Sequence, residues 1–229
     1  HVSEKIDPVR DIETINTELA LADLETVERR MEKNSKLLKA AKTEEGKEAG
    51  LQQPLLERLY EVLQEGRPAR SIDLSPEEEK RLADLHLITM KPQVYLCNVD
   101  EEAIFEENEY VARVREVAEE EGAETLVLSG KIEAEIADLD GEEEREEFLR
   151  DVGLEESGLT RLIHTGYEML GLRTFFTAGP KEDRAWTFHD GDTAPEAAGV
   201  IHSDFQRGFI KAEVYHCTDL FELGSEQKV

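Results

Sequence analysis

The chain is poor in sulfur, with only two cysteines, Cys97 and Cys217, in 229 residues. Two isolated thiols argue against a disulfide framework, and without ligand-type spacing they argue against structural zinc. Both are expected as packed thiols. No apolar run approaches the roughly 18 residues of a membrane-spanning helix, and the first five residues lack the apolar centre of a signal peptide. A soluble, cytoplasmic protein without a membrane partner is the expectation. Cationic charge is scarce too: 27 Lys and Arg stand against 54 Asp and Glu, a formal net charge of −27. Such a surface repels phosphates and argues against a broad nucleic-acid face, so any RNA contact must be local. Two explanations of the acidity stand side by side. One is a salt-rich cytoplasm, where the Debye length falls to about 3 Å at 1 M salt; the other is an ordinary acidic cytosolic protein.

Several catalytic signatures are missing. No Gly-x-x-x-x-Gly-Lys-Ser/Thr loop is present to cradle phosphates and magnesium, and no Asp-x-x-Gly follows a strand. His1, His86, His164, His189, His202 and His216 are scattered, without His-Glu-x-x-His spacing. Ser129 and Ser203 lack the Gly-x-Ser-x-Gly setting of a nucleophile. Covalent catalysis and metal ligation therefore have no candidate residues in the chain.

What is present begins with helical periodicity. Ile12, Ile15, Leu19, Leu24, Val27 and Met31 predict one buried stripe on a helix over 11–31, entered at Asp7-Pro8 and Asp11. Residues 33–47 carry charged helical patterning with Leu37 and Leu38 as anchors, broken at Gly46 and Gly50, which predicts a projecting hairpin. A second amphipathic helix is expected from Pro54 to Gln64 through Leu55, Leu59, Val62 and Leu63, closing at Gly66. Ser75-Pro76-Glu77-Glu78 has the form of an N-cap, a proline at the first helical position and a capping-box Glu. The acidic run Glu142–Glu147 is expected to be a solvated helix face.

Beyond Lys91-Pro92 the texture alternates: strand Val94–Cys97, helix Tyr110–Glu120, strand Thr125–Leu128 and helix Leu159–Leu170. Such βα repeats build a parallel sheet, whose ligands gather at the carboxyl ends of the strands. From Arg173 onward, short strands are expected at 174–177, 185–188 and 208–214. Turns are expected at Gly179-Pro180 and Asp190-Gly191-Asp192, and Thr193-Ala194-Pro195-Glu196 caps a short helix. This is a small α+β module.

The two strand ends carry the candidate site. Asn98-Val99-Asp100-Glu101 follows the first strand and Ser129-Gly130-Lys131 the second. P-loop GTPases place Asn-Lys-x-Asp in the first slot, where the Asp accepts two N–H groups of guanine. Here Val99 and Glu101 replace the Lys and the Asp. A longer carboxylate does not keep that geometry, and a mismatched buried polar group costs about 1 to 3 kcal/mol, so the slot does not insist on guanine. The Asn98 amide both donates and accepts, which suits N7 and N6 of adenine. Glu101 could hold Asn98 or a bridging water, Gly130 permits close approach, and the Lys131 stem could lie against the ring.

In the last module Trp186, Phe188, Phe205 and Phe209 alternate with Lys181, Arg184, Arg207 and Lys211. Such interleaving can stack and neutralise RNA. From Arg173 onward, however, six basic residues face ten acidic ones, and a small aromatic core explains the pattern better.

Longer strings are more specific. Residues 11–19, the Asn98–Glu101 slot, Phe175–Thr187, Ala197–Phe205 and Arg207–Val214 together resemble the YchF group of Obg-like ATPases, over essentially the whole chain. The resemblance implies an α/β protein, part of a parallel-sheet P-loop G domain (1–21 and 88–171) interrupted by a helical, coiled-coil-like insertion (22–87). A small α+β TGS domain (172–229), short of its last strands, would follow. It implies ATP binding and hydrolysis, possibly with GTP as a second substrate, Mg2+, and association with ribosomes. Asn98, Val99, Glu101, Ser129, Gly130 and Lys131 would form the base pocket, with Ser129-Gly130-Lys131 fitting a Ser-Ala-Lys pattern. The phosphate loop, switch regions and metal-binding Ser/Thr would precede His1, so this piece alone would be inactive. The competing expectation is a non-enzymatic ribosome or RNA adaptor for which nucleotide is only a ligand.

Overall fold

A computed structural model describes residues 6–40, 42–179, 182–225 and 228–229. His1, Pro180 of the expected turn and Lys181 of the aromatic-cation set lie outside the described residues. The chain divides into two units, residues 1–162 and 163–229.

The first unit opens with helix α1 (Pro8–Leu37), with Asp7 at the N-cap and Pro8 in the first turn. The Asp7 carboxylate accepts a hydrogen bond from Arg113 at 2.8 Å. After a 3-10 turn (Leu38–Ala40), helix α2 (Glu44–Gln64) returns antiparallel, starting from Thr43, whose hydroxyl accepts the Gly46 N–H at 3.0 Å. The expected breaks at Gly46 and Gly50 do not occur, and α2 does not wait for Pro54. Gly46 and Ala49 are buried, so small residues here serve close packing. Pro54 removes one ladder bond at a cost of about 3 kcal/mol, which burial of Leu55, Leu56, Leu59 and Leu63 offsets at about 1.5 to 3 kcal/mol each.

The core joins Ala20 and Val27 of α1 to those leucines and to Ala69, Leu82, Leu85 and Leu87. The apolar stripe predicted for α1 holds except at Ile15: Val27 is buried and Leu24 and Met31 pack against the core, but polar residues share the buried face. Ile15 is 53% exposed, whereas Asp23 and Asn34 are buried at 2% each. Asn34 donates to Gln52 Oε1 at 3.1 Å, and Gln52 in turn donates to the Arg81 carbonyl at 2.8 Å. Asp23 accepts from the Ile88 N–H (2.8 Å), the Thr89 N–H (2.7 Å) and the Thr89 hydroxyl (2.7 Å). Helix α3 (Pro76–Leu82) carries the expected capping box between Ser75 and Glu78. Replacing Ser75 by alanine leaves the Glu78 N–H without its cap and is expected to lower stability by about 1 kcal/mol in a urea melt.

Strands β1 (Val94–Asn98) and β2 (Glu124–Leu128) run parallel, with Val94 beside Glu124 and Asn98 beside Leu128. Helix α4 (Glu109–Glu121) connects them. It is capped by the Asn108 side chain, stopped at Gly122 (φ 66°), and packed through Val111, Val114 and Ala118. The Tyr95 hydroxyl donates to Glu121 at 2.7 Å, and Asn16 of α1 donates to both. Burial, then the Glu121 carboxylate, raises the Tyr95 pKa above the usual phenol value. Cys97 is half-buried and burial pushes its thiol pKa up, so it is a packed thiol as expected. Helices α5 (Gly130–Ala137), α6 (Glu142–Val152) and α7 (Gly158–Met169) follow. No residue of α6 is buried, as its acidic run predicts.

The second unit begins within α7 and contains an antiparallel hairpin of β3 (Leu172–Thr177) and β4 (Arg184–His189). Phe175 lies opposite Trp186 and 5.8 Å from Phe188. The Trp186 indole donates to Thr177 at 2.9 Å, and the Arg184 guanidinium sits 4.2 Å over the indole ring. Short helices α8 (Ala194–Gly199), α9 (Ser203–Arg207) and α10 (Cys217–Leu223) complete it, the first capped at Thr193 as expected, through a capping box with Glu196. Three expectations fail in this unit. Phe205, expected in a small aromatic core, is 54% exposed on α9. Residues 208–214 form no strand, and Ile210 and Val214 are 91% and 85% exposed. A strand exists only through its ladder, and among the described residues none pairs with this segment. Cys217 is exposed, not packed, because the short helix it opens buries no residue. Among the described residues no helix is long and apolar enough to cross a membrane.

Candidate functional site

The parallel register sets Asn98 and Leu128 side by side, so the segments that follow both strands emerge together. The Val99 N–H donates to the Leu128 carbonyl at 2.9 Å, extending the ladder by one rung. Ser129, 2% exposed, is the N-cap of α5, yet its side chain makes no capping bond. The cap comes from the neighbouring strand. Asn98 Oδ1 accepts the Gly130 N–H at 2.8 Å, satisfying one of the unpaired donors of a helix start. A Cβ on residue 130 would lie 3.3 Å from that oxygen, close enough that the Asn98 side chain would have to give by a few tenths of an ångström.

With Oδ1 engaged, the group of Asn98 left without a partner among the described residues is the Nδ2 amide, which only donates. Glu101 does not hold Asn98. It pairs with Lys131, which also lies 3.9 Å from Glu135. Opposite charges on adjacent loops pair more strongly than a carboxylate and an amide already hydrogen-bonded elsewhere. The Glu101 contact raises the Lys131 pKa above the ordinary lysine value. The six predicted positions therefore lie together at the end of β1 and the turn after it, and at the start of α5, linked by one backbone bond, one amide cap and one ion pair.

Sequence reasoning missed the supporting wall. Glu133 of α5 accepts the Gly158 N–H at 2.7 Å and the Leu159 N–H at 3.1 Å, fixing the start of α7 against the end of β2. Arg161 donates to the Val127 carbonyl at 2.6 Å. A buried glycine just after a serine was the sole hint of this contact, and nothing local pointed to its partner. Among the described residues no group of three His, Cys, Asp or Glu side chains is placed to hold a metal ion.

Comparison with known proteins bears on the whole chain. A protein of Bacillus subtilis called "Ribosome-binding ATPase YchF" is 50% identical over 226 residues, covering 98% of this chain and 60% of that protein. The chain belongs to the YchF group. "Obg-like ATPase 1" of Caenorhabditis elegans is 38% identical over 232 residues, all of this chain and 57% of that protein. The solved structure of the Schizosaccharomyces pombe YchF GTPase superposes with a TM-score of 0.83 at 34% identity, covering 100% of this chain and 61% of that one. The family described as "YchF-GTPase_C: Protein of unknown function (DUF933)" matches residues 172–229. The chain thus spans about three fifths of the length of these YchF relatives, and its α/β character agrees with that of the superposed structure.

Proposed function

We propose that this chain supplies base recognition and docking for a ribosome-associated protein that binds and hydrolyses ATP, with GTP as a second substrate. The observation that carries the reading is the joining of Asn98 and Gly130 across two parallel strand ends, where sheets of this kind take ligands. The free Asn98 Nδ2 donates to N7 of a purine, the Val99 backbone meets the base edge, and the Lys131 stem covers the ring. Glu101, too long to keep the bidentate guanine geometry, is also engaged by Lys131. In this reading residues 1–21 and 88–171 belong to a G domain, 22–87 to its helical insertion and 172–229 to a TGS domain, in a cytoplasmic protein. The 229 residues contain no phosphate loop. Neither triphosphate nor Mg2+ is therefore assigned to side chains of this chain, and no hydrolytic step is derived from them.

Amide-resolved NMR of the chain titrated with ATP and GTP tests the reading. The expected result is shifts at Val99, Gly130 and Lys131, and binding weakened about fivefold to tenfold by Asn98→Ala, the loss of one hydrogen bond of about 1 kcal/mol. Val99→Lys with Glu101→Asp is expected to move preference toward GTP. Shifts confined to other regions, or an unchanged ATP-to-GTP ratio in the double variant, would refute the assignment.

A further inference from the structure

In a chain with a net charge of −27, residues 33–43 contain four lysines and no carboxylate. Lys33 and Lys36 lie in the last turns of α1, Lys39 in the 3-10 turn that follows, and Lys42 just before α2. All four are exposed. Several cations elsewhere find partners: Arg58 pairs with Glu78, Arg81 with Glu48, Arg115 with Glu107 and Lys131 with Glu101. Among the described residues, none of the four tip lysines has an ion-pair partner. The partial negative charge of a helix C-terminus accounts for a cation in the last turn. It gives no reason for four, nor for excluding every acid from a stretch in so acidic a chain.

We infer that the tip of the α1–α2 hairpin is an electrostatic contact for the phosphate backbone of RNA. Three-residue spacing puts Lys33 and Lys36 on neighbouring positions of the α1 surface, with Cβ atoms about 5 to 6 Å apart, and Lys39 and Lys42 continue the series through the turn into α2, so several ammonium groups can meet one strand of phosphates. The acidity of the body does not defeat this. α1 touches β1 and α4 at Asn16, and the 21 residues from there to Leu37 extend about 30 Å at 1.5 Å per residue. The Debye length is about 8 Å at physiological salt, so the distant acids of the body are largely screened at the tip, and the carboxylates still within reach are the flanking Glu32, Glu44 and Glu45. An anionic membrane is the poorer match. A helix lying on lipid needs a wide apolar face with aromatic anchors, whereas the tip offers only Leu37 and Leu38, the latter 37% exposed.

This inference deepens the ribosome-docking part of the function proposed above and rests on it only for the source of the RNA. The test is fluorescence anisotropy of the 229-residue chain with a labelled RNA duplex of about 16 base pairs across a KCl series. Changing Lys33, Lys36, Lys39 and Lys42 together to Gln is expected to weaken binding at least about tenfold and to flatten the slope of log K against log salt by about 3 to 4. The corresponding Arg variant keeps both quantities, as does Lys80→Gln with Lys91→Gln, which removes two exposed lysines outside the tip. Unchanged circular dichroism shows that the fold is intact. Equal affinity and slope for the wild type and the Gln variant would overturn the inference, as would binding to phosphatidylserine vesicles in place of RNA. Cosedimentation with ribosomes separates the two readings. If it survives in the Gln variant, the tip is wrong and docking stands; if duplex binding maps to the tip but no ribosome is bound, docking alone fails.

Discussion

Asp23→Ala is expected to lower the stability of the first unit by about 4 kcal/mol. The carboxylate is 2% exposed and accepts the Ile88 and Thr89 N–H groups and the Thr89 hydroxyl. Removing it strands two backbone donors, each at about 1 to 3 kcal/mol, and leaves a third bond broken. The damage spreads because Thr89 is itself a relay. Its hydroxyl accepts the Ala69 N–H at 2.8 Å, and its carbonyl accepts the Arg70 N–H at 3.1 Å. At about 2 to 4 °C per kcal/mol for a unit of this size, the melting temperature falls by roughly 10 °C. Asn keeps one acceptor oxygen, so Asp23→Asn is expected to lose about half as much. Thermal melts of the three proteins decide the matter, and a loss below about 1 kcal/mol for Ala would mean that water replaces the carboxylate.

The second large effect is expected at Gly158. A Cβ there would lie 2.5 Å from Leu128 Cβ, 2.9 Å from Glu133 Oε1 and 3.2 Å from Leu128 Cδ2. Leu128 Cβ is fixed to the backbone of β2 and cannot swing away, so the start of α7 has to move and its bonds to Glu133 lengthen. Gly158→Ala is therefore expected to cost about 2 to 3 kcal/mol and to disturb the Val99 and Gly130 amides in NMR spectra, because Leu128 leads directly into the Ser129–Lys131 loop. Gly166, in the same helix, has nothing within 4 Å of an added Cβ. Gly166→Ala is expected to stabilise by about 0.5 to 1 kcal/mol. Urea melts in which both variants shift the same way would contradict the steric account.

Much of the architecture could be read from the chain because the relevant signals are local. Alternation of apolar strands with an amphipathic helix gave β1, α4 and β2 within a residue of their bounds, and the capping boxes at Ser75 and Thr193 follow from residues three apart. The errors share a cause. Gly46, Gly50 and Pro54 were expected to interrupt a helix that leucine burial sustains. The segment 208–214 has strand-like residues and no strand beside it among those described. The basic tip was open to a local charge count, but only the ion-pair geometry shows that its lysines stand unpartnered among the described residues of an acidic chain.

The residue types alone determined the two strand ends, the polar slots after them and the family to which the chain belongs. Tertiary structure decided what those slots can do. Register in a parallel pair brings Asn98 to Gly130 across 32 residues of sequence, occupies the amide oxygen and turns Glu101 toward Lys131. It also decided that Asp23, a polar residue on a helix read by its apolar ones, is buried against backbone donors 65 residues away. Hydropathy describes a residue by its own chemistry, whereas the worth of a buried polar group depends on partners that only the folded chain brings within hydrogen-bonding distance.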